Sequence, residues 1–246
     1  MLTLLILFEF GSLLLGCTES KTGEETTPIP VSTPKQTPTT PISTLTATPT
    51  HTPKPTPTPE KMEILSSNFY TDSVGYQHIV GEVRYEGNLI ANFVEVIATL
   101  YKGGEVVNSG FTYTMLEKLK DGEKSPFDII IMNPVETDEY KLQVQYKTTS
   151  LEPFRGVKVL SHRGFYDEIG YYHITGEVEN TGDCKASFVQ IIATLYNSEN
   201  KVIGASFTYT QIENLNSGQT SPFEITVLEL PKKIDHYGLV TQAKCT

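Results

Sequence analysis

The hydrophobic pattern of the chain is dominated by one stretch that occurs twice. It reads FVEVIATLY over residues 93–101 and FVQIIATLY over residues 188–196, 95 positions later. Both copies are rich in β-branched and aromatic residues and contain no glycine or proline, which is typical of strands. In the first copy one face is apolar throughout and the other mixes apolar with polar residues. The pattern therefore predicts a central strand of a packed sheet. The apolar face consists of Val94, Val96, Ala98 and Leu100, and the mixed face carries Phe93, Ile97 and Tyr101.

The repeat extends over two modules, residues 62–149 and 157–246. Its offset grows from 95 to 97 residues along the chain, which places single-residue insertions in loops near residues 102–105 and 133–138. Residues 113–120 are expected to form either a turn of helix or a strand followed by a loop. Six or seven short strands separated by turn signals predict an all-β fold, with one Ig-like β-sandwich per module. In the second module these strands are expected at 157–162, 171–179, 186–197, 201–210, 222–229 and 236–244.

The N-terminal residues 1–16 form an apolar run that ends in Leu14-Leu15-Gly16, directly before Cys17. The run is too short for a stable membrane-spanning helix and is typical of a secretory signal peptide. Leu-Leu-Gly-Cys resembles the prokaryotic lipobox, in which the cysteine becomes the lipidated first residue of the mature protein. The resemblance predicts a membrane anchor at Cys17 and a location on the extracellular face of the cell membrane. The alternative is an apolar N-terminus that is not processed.

Residues 18–61 hold ten of the 15 prolines of the chain, interleaved with threonine. Proline removes backbone donors, and the segment has almost no apolar side chain to bury, so we expect it not to fold. In polyproline II at about 3.1 Å per residue, such a segment would reach on the order of 100 Å. We interpret it as a disordered stalk between the membrane and the modules, with a passive linker as the alternative.

The second module resembles the FxLYD domain, a family of extracellular Ig-like modules common in bacterial and archaeal lipoproteins. In the first module Tyr85 replaces the asparagine of the matching motif. The resemblance covers residues 62–246 and implies a fold and a surface location, most like that of archaeal surface lipoproteins. It implies no catalytic residues and no cofactor. The segments that carry it are Gly176–Gly182, Ala193–Asn197 and Leu215–Phe223.

The chain contains three cysteines, and lipidation of Cys17 would leave Cys184 and Cys245 as a pair in an exported protein. Cys184 sits at the start of one predicted strand and Cys245 at the end of the last, and in neighbouring antiparallel strands a start lies beside an end. We therefore expect a disulfide between Cys184 and Cys245, with two free thiols as the alternative. The equivalent histidines His78 and His173 are expected to be half-buried strand residues rather than metal ligands, because close ligand spacing is missing.

Two equivalent segments place aromatic side chains beside carboxylates in a loop predicted at one end of each module. Such a loop stacks on a sugar, holds calcium, or simply caps the sandwich. The candidate ligand-binding residues are Phe69, Tyr70 and Asp72 in the first module and Phe165, Tyr166 and Asp167 in the second.

The formal net charge of −10 makes nucleic acid an unexpected partner, because phosphates are repelled by an acidic surface. The sequence contains no nucleophile elbow, zinc-protease motif, phosphate loop or dinucleotide fingerprint. We therefore do not expect the protein to be an enzyme. The preferred hypothesis is a surface protein that binds an envelope or surface protein through its modules. The alternatives are a carbohydrate- or solute-binding receptor and a passive envelope spacer.

Overall fold

The computed structural model describes residues 60–228, 230 and 232–246. The predicted signal peptide, the lipidation site at Cys17 and the stalk up to residue 59 lie outside these residues. The described residues all belong to one compact unit. They form an all-β protein with two β-sandwiches in tandem, which confirms the fold class expected from the pattern. None of the described elements is a helix long and apolar enough to cross a membrane.

We refer to residues 61–149 as module 1 and to residues 157–246 as module 2. The strands of module 1 are β1 (Lys61–Thr71), β2 (Gln77–Glu86), β3 (Ile90–Lys102), β4 (Glu105–Tyr113), β5 (Lys118–Leu119), β6 (Lys124–Ile131) and β7 (Glu139–Thr149). Those of module 2 are β8 (Val157–Tyr166), β9 (Tyr172–Asn180), β10 (Ala186–Tyr196), β11 (Val202–Tyr209), β12 (Asn214–Leu215), β13 (Thr220–Val227) and β14 (His236–Cys245).

Each module is built from a three-stranded and a four-stranded antiparallel sheet. In module 1 the three-stranded sheet has the order β1-β2-β6, and in the four-stranded sheet β3 pairs with β4, β5 and β7. Module 2 repeats this arrangement with β8-β9-β13 and with β10 at the centre of the other sheet. The repeated stretch is therefore the central strand of the four-stranded sheet in both modules, as predicted.

The alternation of side chains along β3 places one face in the core of module 1. All four residues of the predicted apolar face are at most 1% exposed. They pack against the inward side chains of the three-stranded sheet, such as Val83 and Phe127. Module 2 has an equivalent core around Ile191 and Phe223. The buried positions of β3 are Val94, Val96, Ala98 and Leu100.

A glycine is required where β1 and β2 pass closest to the core. A side chain at Gly81 would collide with the ring of Phe127 and the carbonyl oxygen of Ser66. The pairing register of β1 shifts at this point, between Ile64 and Ser66. Gly176 meets the same obstacles in module 2, which explains why the Gly-Glu-Val motif recurs.

The departure of Tyr85 from the repeat has a structural consequence. In module 2 the equivalent Asn180 is fully buried and donates from Nδ2 to the carbonyl oxygens of Cys184 (2.7 Å) and Leu215 (2.8 Å). In module 1 Tyr85 fills the same position with an aromatic ring that meets Tyr146 edge-on, 5.7 Å between centroids. Packing thus replaces a hydrogen-bonded anchor at this corner. The stretch 113–120 begins at the last residue of β4 and continues through a bend to the two-residue strand β5, with no helix.

Candidate interaction surface

The predicted loop residues Asp72 and Asp167 organise the turns between the first two strands of each module. Oδ1 of Asp72 accepts hydrogen bonds from the backbone N–H groups of Val74 (3.1 Å) and Tyr76 (2.7 Å). Asp167 makes the same two bonds with the residues at the same spacing, at 3.1 and 2.8 Å. Both carboxylates therefore serve as turn caps, and these hydrogen bonds take up one oxygen of each.

The second oxygen of each aspartate faces a histidine that is held between two carboxylates. Nε2 of His78 lies 3.4 Å from Asp72, and Nδ1 lies 3.0 Å from Asp128. The hydrogen bond to Asp128 raises the pKa of His78 despite its partial burial. In module 2 the pKa of His173 is raised by its hydrogen bonds to Asp167 and then to Glu224. The described residues contain no cluster of three or more acidic, histidine or cysteine side chains able to hold a metal ion.

The aromatic residues of the predicted site do not lie in a loop. Phe69 and Tyr70 belong to β1, and Phe165 and Tyr166 end β8, because both strands run longer than the pattern indicates. Tyr70 stacks on His78, with 4.8 Å between ring centroids, and Phe165 stacks on His173 at 5.3 Å. The aromatic and acidic residues lie close together, as the sequence predicted, but two of the rings pack on the histidines and Phe69 packs on Tyr140.

Tyr166 differs from its companions because it lines a groove on the described surface. The groove has a volume of about 770 Å³ and lies at the end of module 2, between the turn 167–171 and the segment before β14. Tyr171 and Lys233 also line it, and the ammonium group of Lys233 lies 5.9 Å from the Tyr166 ring centroid. The hydroxyl of Tyr166 accepts a hydrogen bond from the N–H of Ile234 (2.8 Å), which fixes the ring.

The two cysteines of module 2 are linked by the expected disulfide. Cys184 and Cys245 form a disulfide with their Cα atoms 5.7 Å apart, across a loop of 61 residues. Cys184 immediately precedes β10 and Cys245 ends β14, and these strands pair with each other. The disulfide therefore closes the end of the four-stranded sheet of module 2.

The two modules contact each other through sheet faces. The outer face of the three-stranded sheet of module 1 packs against the outer face of the four-stranded sheet of module 2. Ile192, on the outer face of β10, is fully buried and packs with the core residues of module 1. Val80, on the outer face of β2, is fully buried as well, and Val240 of β14 joins the same cluster.

Hydrogen bonds from these faces fix the relative position of the two modules. Tyr196 donates from its hydroxyl to Glu82 (2.7 Å), whose side chain is 6% exposed. Burial, and then this hydrogen bond, raise the pKa of Tyr196. The N–H of Val202 donates to Oγ of Ser66 (3.2 Å). The amide of Gln242 accepts from the N–H of residue 117 (2.9 Å) and donates to the carbonyl oxygen of residue 115 (2.9 Å).

The connecting segment is also anchored to module 1. Arg155 donates to both carboxylate oxygens of Glu123, at 2.9 Å each, and to the carbonyl oxygen of Lys118 at 2.7 Å. Burial opposes ionisation of Glu123, but the hydrogen bonds from Arg155 and the backbone outweigh it and lower its pKa. A bidentate ion pair of this kind holds the planar guanidinium in one orientation. The linker is thus fixed against module 1 rather than free.

The four-stranded face of module 1 is open to solvent, whereas its counterpart on module 2 is covered around Ile192 and Val202 and leaves Phe207 and Tyr209 exposed. Ile97, equivalent to Ile192, is only partly buried, and Val106, equivalent to the fully buried Val202, is 62% exposed. Phe111 and Tyr113 of the edge strand β4 are 63% and 53% exposed on this face. We call the outer face of β3, β4 and β7 the open face.

A second repeated feature borders this face. Phe93 has a φ of 51° and its counterpart Phe188 a φ of 52°, a left-handed conformation that is strained for a bulky residue. Both rings are about 60% exposed, at 61% and 60%. Each sits below a lysine ammonium group, Lys147 at 5.9 Å and Lys244 at 5.5 Å from the ring centroid. Phe93 and Tyr113 line a notch of about 360 Å³.

The sequence did not predict the open face. The candidate binding residues predicted from the sequence are aromatic residues next to carboxylates, and those residues lie elsewhere in the chain. The available signal was the mixed outer face of the repeated strand, in which Ile97 and Ile192 recur. A large apolar residue on the outer face of a central strand indicates that another module or a partner protein covers that face.

Comparisons with known proteins add little to this description. No family model matches the chain, and no curated protein matches it. Among solved structures, a calcium-binding mutant of Bacteroides uniformis β-glucuronidase 2 matches with a TM-score of 0.23 and 10% sequence identity. The match covers 74% of this chain and 28% of that chain, so this chain spans less than a third of the length of that protein. A similarity of this size carries no argument about fold or function.

Proposed function

We propose that the chain is a lipid-anchored cell-surface protein whose two Ig-like modules bind another protein at the cell envelope. The observation that carries the proposal is the open face of module 1. Its counterpart on module 2 is a protein-docking surface within the same chain, where Ile192 and Val202 are fully buried. On module 1 the equivalent positions, together with Phe111 and Tyr113, face solvent. Exposed apolar patches on a sheet face are typical of protein-interaction sites.

The shape of the open face favours a protein over a small ligand. Small molecules are bound in concave pockets that cover most of their surface, whereas the exposed apolar side chains of this face spread over an extended sheet surface with a notch of about 360 Å³ at its border. Aromatic residues are enriched at protein interfaces because they add large contact area at low entropic cost. In this proposal the chain binds and does not catalyse.

The location rests on sequence. The apolar segment before Cys17 and the Thr/Pro-rich stalk support export, lipidation and display at a distance from the membrane. The FxLYD resemblance of residues 62–246 supports the same location. A disulfide between Cys184 and Cys245 is in keeping with an oxidising compartment.

The test is to recover the partner from intact cells by cross-linking the tagged full-length chain. Phe111→Arg places a charge on the open face, beside Ile97 of the central strand, and should abolish recovery of a dominant protein partner. Val74→Arg changes an apolar residue of similar exposure, 74%, in the turn between β1 and β2, and should leave recovery unchanged. Equal recovery with both variants would contradict the proposal. Absence of any protein or glycan partner would support a passive spacer instead.

A second candidate function is binding of a carbohydrate or small solute in the groove of module 2. The observation that favours it is the combination of Tyr166, Tyr171 and Lys233 around a volume of about 770 Å³. Tyrosine rings stack on sugars, and a lysine favours an anionic group. Glycan binding by the full-length chain that is lost in Tyr171→Ala and kept in Phe111→Arg would assign function to the groove.

A further inference from the structure

We propose that the partner of the open face is a second copy of this chain, which docks the three-stranded face of its module 2. The proposal rests on the interaction function assigned above to the open face. The contact between the modules of one chain supplies the template, because it already joins a three-stranded face to a four-stranded face. Module 2 leaves its three-stranded face free, and module 1 leaves its four-stranded face free. Copies of the chain can therefore join head to tail through the same type of contact.

The free three-stranded face keeps the polar side chains that serve in the template. Ser66 and Glu82 accept the hydrogen bonds from module 2 within one chain. Their equivalents, Ser161 and Glu177, lie opposite each other on β8 and β9, as Ser66 and Glu82 do on β1 and β2. Ser161 is exposed and Glu177 is only partly buried, so both groups are accessible.

The open face keeps the matching donors and the central apolar residue. Tyr196, Gln242 and Ile192 make the template contacts on module 2. Their equivalents on module 1 are Tyr101, Gln145 and Ile97, which are identical in type and lie at the same register positions of β3 and β7. Both halves of the template are therefore present on the free faces.

The positions that differ predict a weaker contact than the template. Thr175 stands where β2 has Val80, and Gln143 stands where β14 has Val240. Lys141 replaces Gly238, which adds a charged side chain to the open face. Within one chain the linker also keeps the faces at a high effective concentration, an advantage that separate copies lack. Association is therefore expected when copies are concentrated side by side, as on one membrane, and not in dilute solution.

The geometry of the contact determines the form of the assembly. It joins two different faces and is therefore heterologous. Heterologous contacts generate rings or open chains instead of closed symmetric dimers. Each added copy presents the same two free faces as the first, so the assembly can grow beyond a pair.

Disulfide trapping tests the proposal on the full-length chain carrying Cys17→Ser, which removes the third cysteine. In the template, Val202 N–H bonds to Ser66, and the equivalent positions on the free faces are Val106 and Ser161. Both are exposed, so the double variant Val106→Cys, Ser161→Cys should fold. At high protein concentration under mild oxidation it should form a ladder of dimers, trimers and longer species on a non-reducing gel.

Two matched variants complete the experiment. Ser66→Cys with Val202→Cys should cross-link within one chain and remain monomeric, which calibrates the reaction for this geometry. Val106→Cys with Ser198→Cys places the second thiol on an exposed turn outside the free face and should give no ladder beyond dimers. A monomeric double variant alongside an efficient template cross-link would overturn the proposal. Equal ladders from the Ser198→Cys control would overturn it as well, by showing random collision.

The outcome is separable from that of the proposed function. If trapping fails but Phe111→Arg still loses a partner on cells, the open face binds a different protein and only this inference falls. If Phe111→Arg changes neither the cell partner nor the ladder, the open face is not an interaction surface, and both proposals fail.

Discussion

Replacement of Ile192 by alanine tests whether the two modules unfold as one unit. Ile192 belongs to module 2 in sequence, but it is fully buried only because module 1 covers it. Alanine removes three carbon atoms, worth about 2.4 kcal/mol at roughly 0.8 kcal/mol for each buried group. The cavity left behind raises the cost, since buried isoleucine-to-alanine changes span about 2–5 kcal/mol. We therefore expect the free energy of unfolding to fall by about 3–4 kcal/mol.

The chain contains its own control for this experiment. Ile97 occupies the same position of the equivalent strand and is followed by the same Ala-Thr-Leu-Tyr sequence, but it lies on the open face and is only partly buried. Ile97→Ala carries the same change in strand propensity, and its cost should stay at about 1 kcal/mol or less. The difference between the two variants therefore isolates the burial that the contact between modules provides.

Thermal unfolding monitored by calorimetry provides the measurement. For a chain of this size, 1 kcal/mol corresponds to a shift in Tm of about 2–4 °C. Ile192→Ala should lower Tm by about 6–16 °C, and Ile97→Ala by no more than about 4 °C. A second transition in Ile192→Ala would show that the modules have separated. Equal shifts for the two variants would refute the contact between modules as described.

Three further predictions concern polar contacts. The hydrogen bond to Asp128 raises the pKa of His78 above 6.5. The stability that this pair gives the folded protein is therefore complete below pH 6.5 and is lost as the pH rises through the raised pKa of His78. In urea unfolding, His78→Gln should therefore cost more at about pH 6 than at about pH 9, and an equal cost would contradict the pairing. Arg155 helps to hold the pKa of Glu123 below 4.5, so Glu123→Gln should destabilise at neutral pH and converge with the wild type on acidification; a constant difference would refute this. Asn180→Ala removes three hydrogen bonds from a buried side chain and should cost about 2 kcal/mol in the same assay, whereas a loss under about 0.5 kcal/mol would contradict its anchoring role.

The architecture followed from the sequence because strand periodicity and turn residues are local signals. The alternation along β3 predicted its buried face, and the offsets between copies predicted loops where the turn at Gly103-Gly104 and the segment before β7 occur. Strand ends were harder to predict. β8 continues to Tyr166 because it pairs with β9 across its length, a long-range contact that a local pattern does not contain.

The predicted ligand-binding residues lie close together as expected, but their side chains form contacts within the module. Asp72 and Asp167 have the composition of a calcium or sugar loop. In the structure the same carboxylates cap a turn and hold a histidine, which a pattern of residue types cannot distinguish from ligand binding. Residue type shows which side chains are able to bind a ligand. Whether they are available to a ligand depends on the neighbouring strands, whose groups can already form hydrogen bonds with them.

The open face illustrates why a repeat carries more information than either copy alone. Ile97 and Ile192 are identical, so periodicity assigns them the same environment, although only Ile192 is fully buried. The divergent pairs hold the missing information. At Val80 and Thr175 the valine belongs to the face that the other module covers, and the threonine belongs to the free face. Apolar residues persist on an outer sheet face where burial stabilises them and are readily replaced by polar ones where solvent remains. The differences between the two copies, position by position, therefore indicate which outer sheet faces are covered within the chain and which remain free.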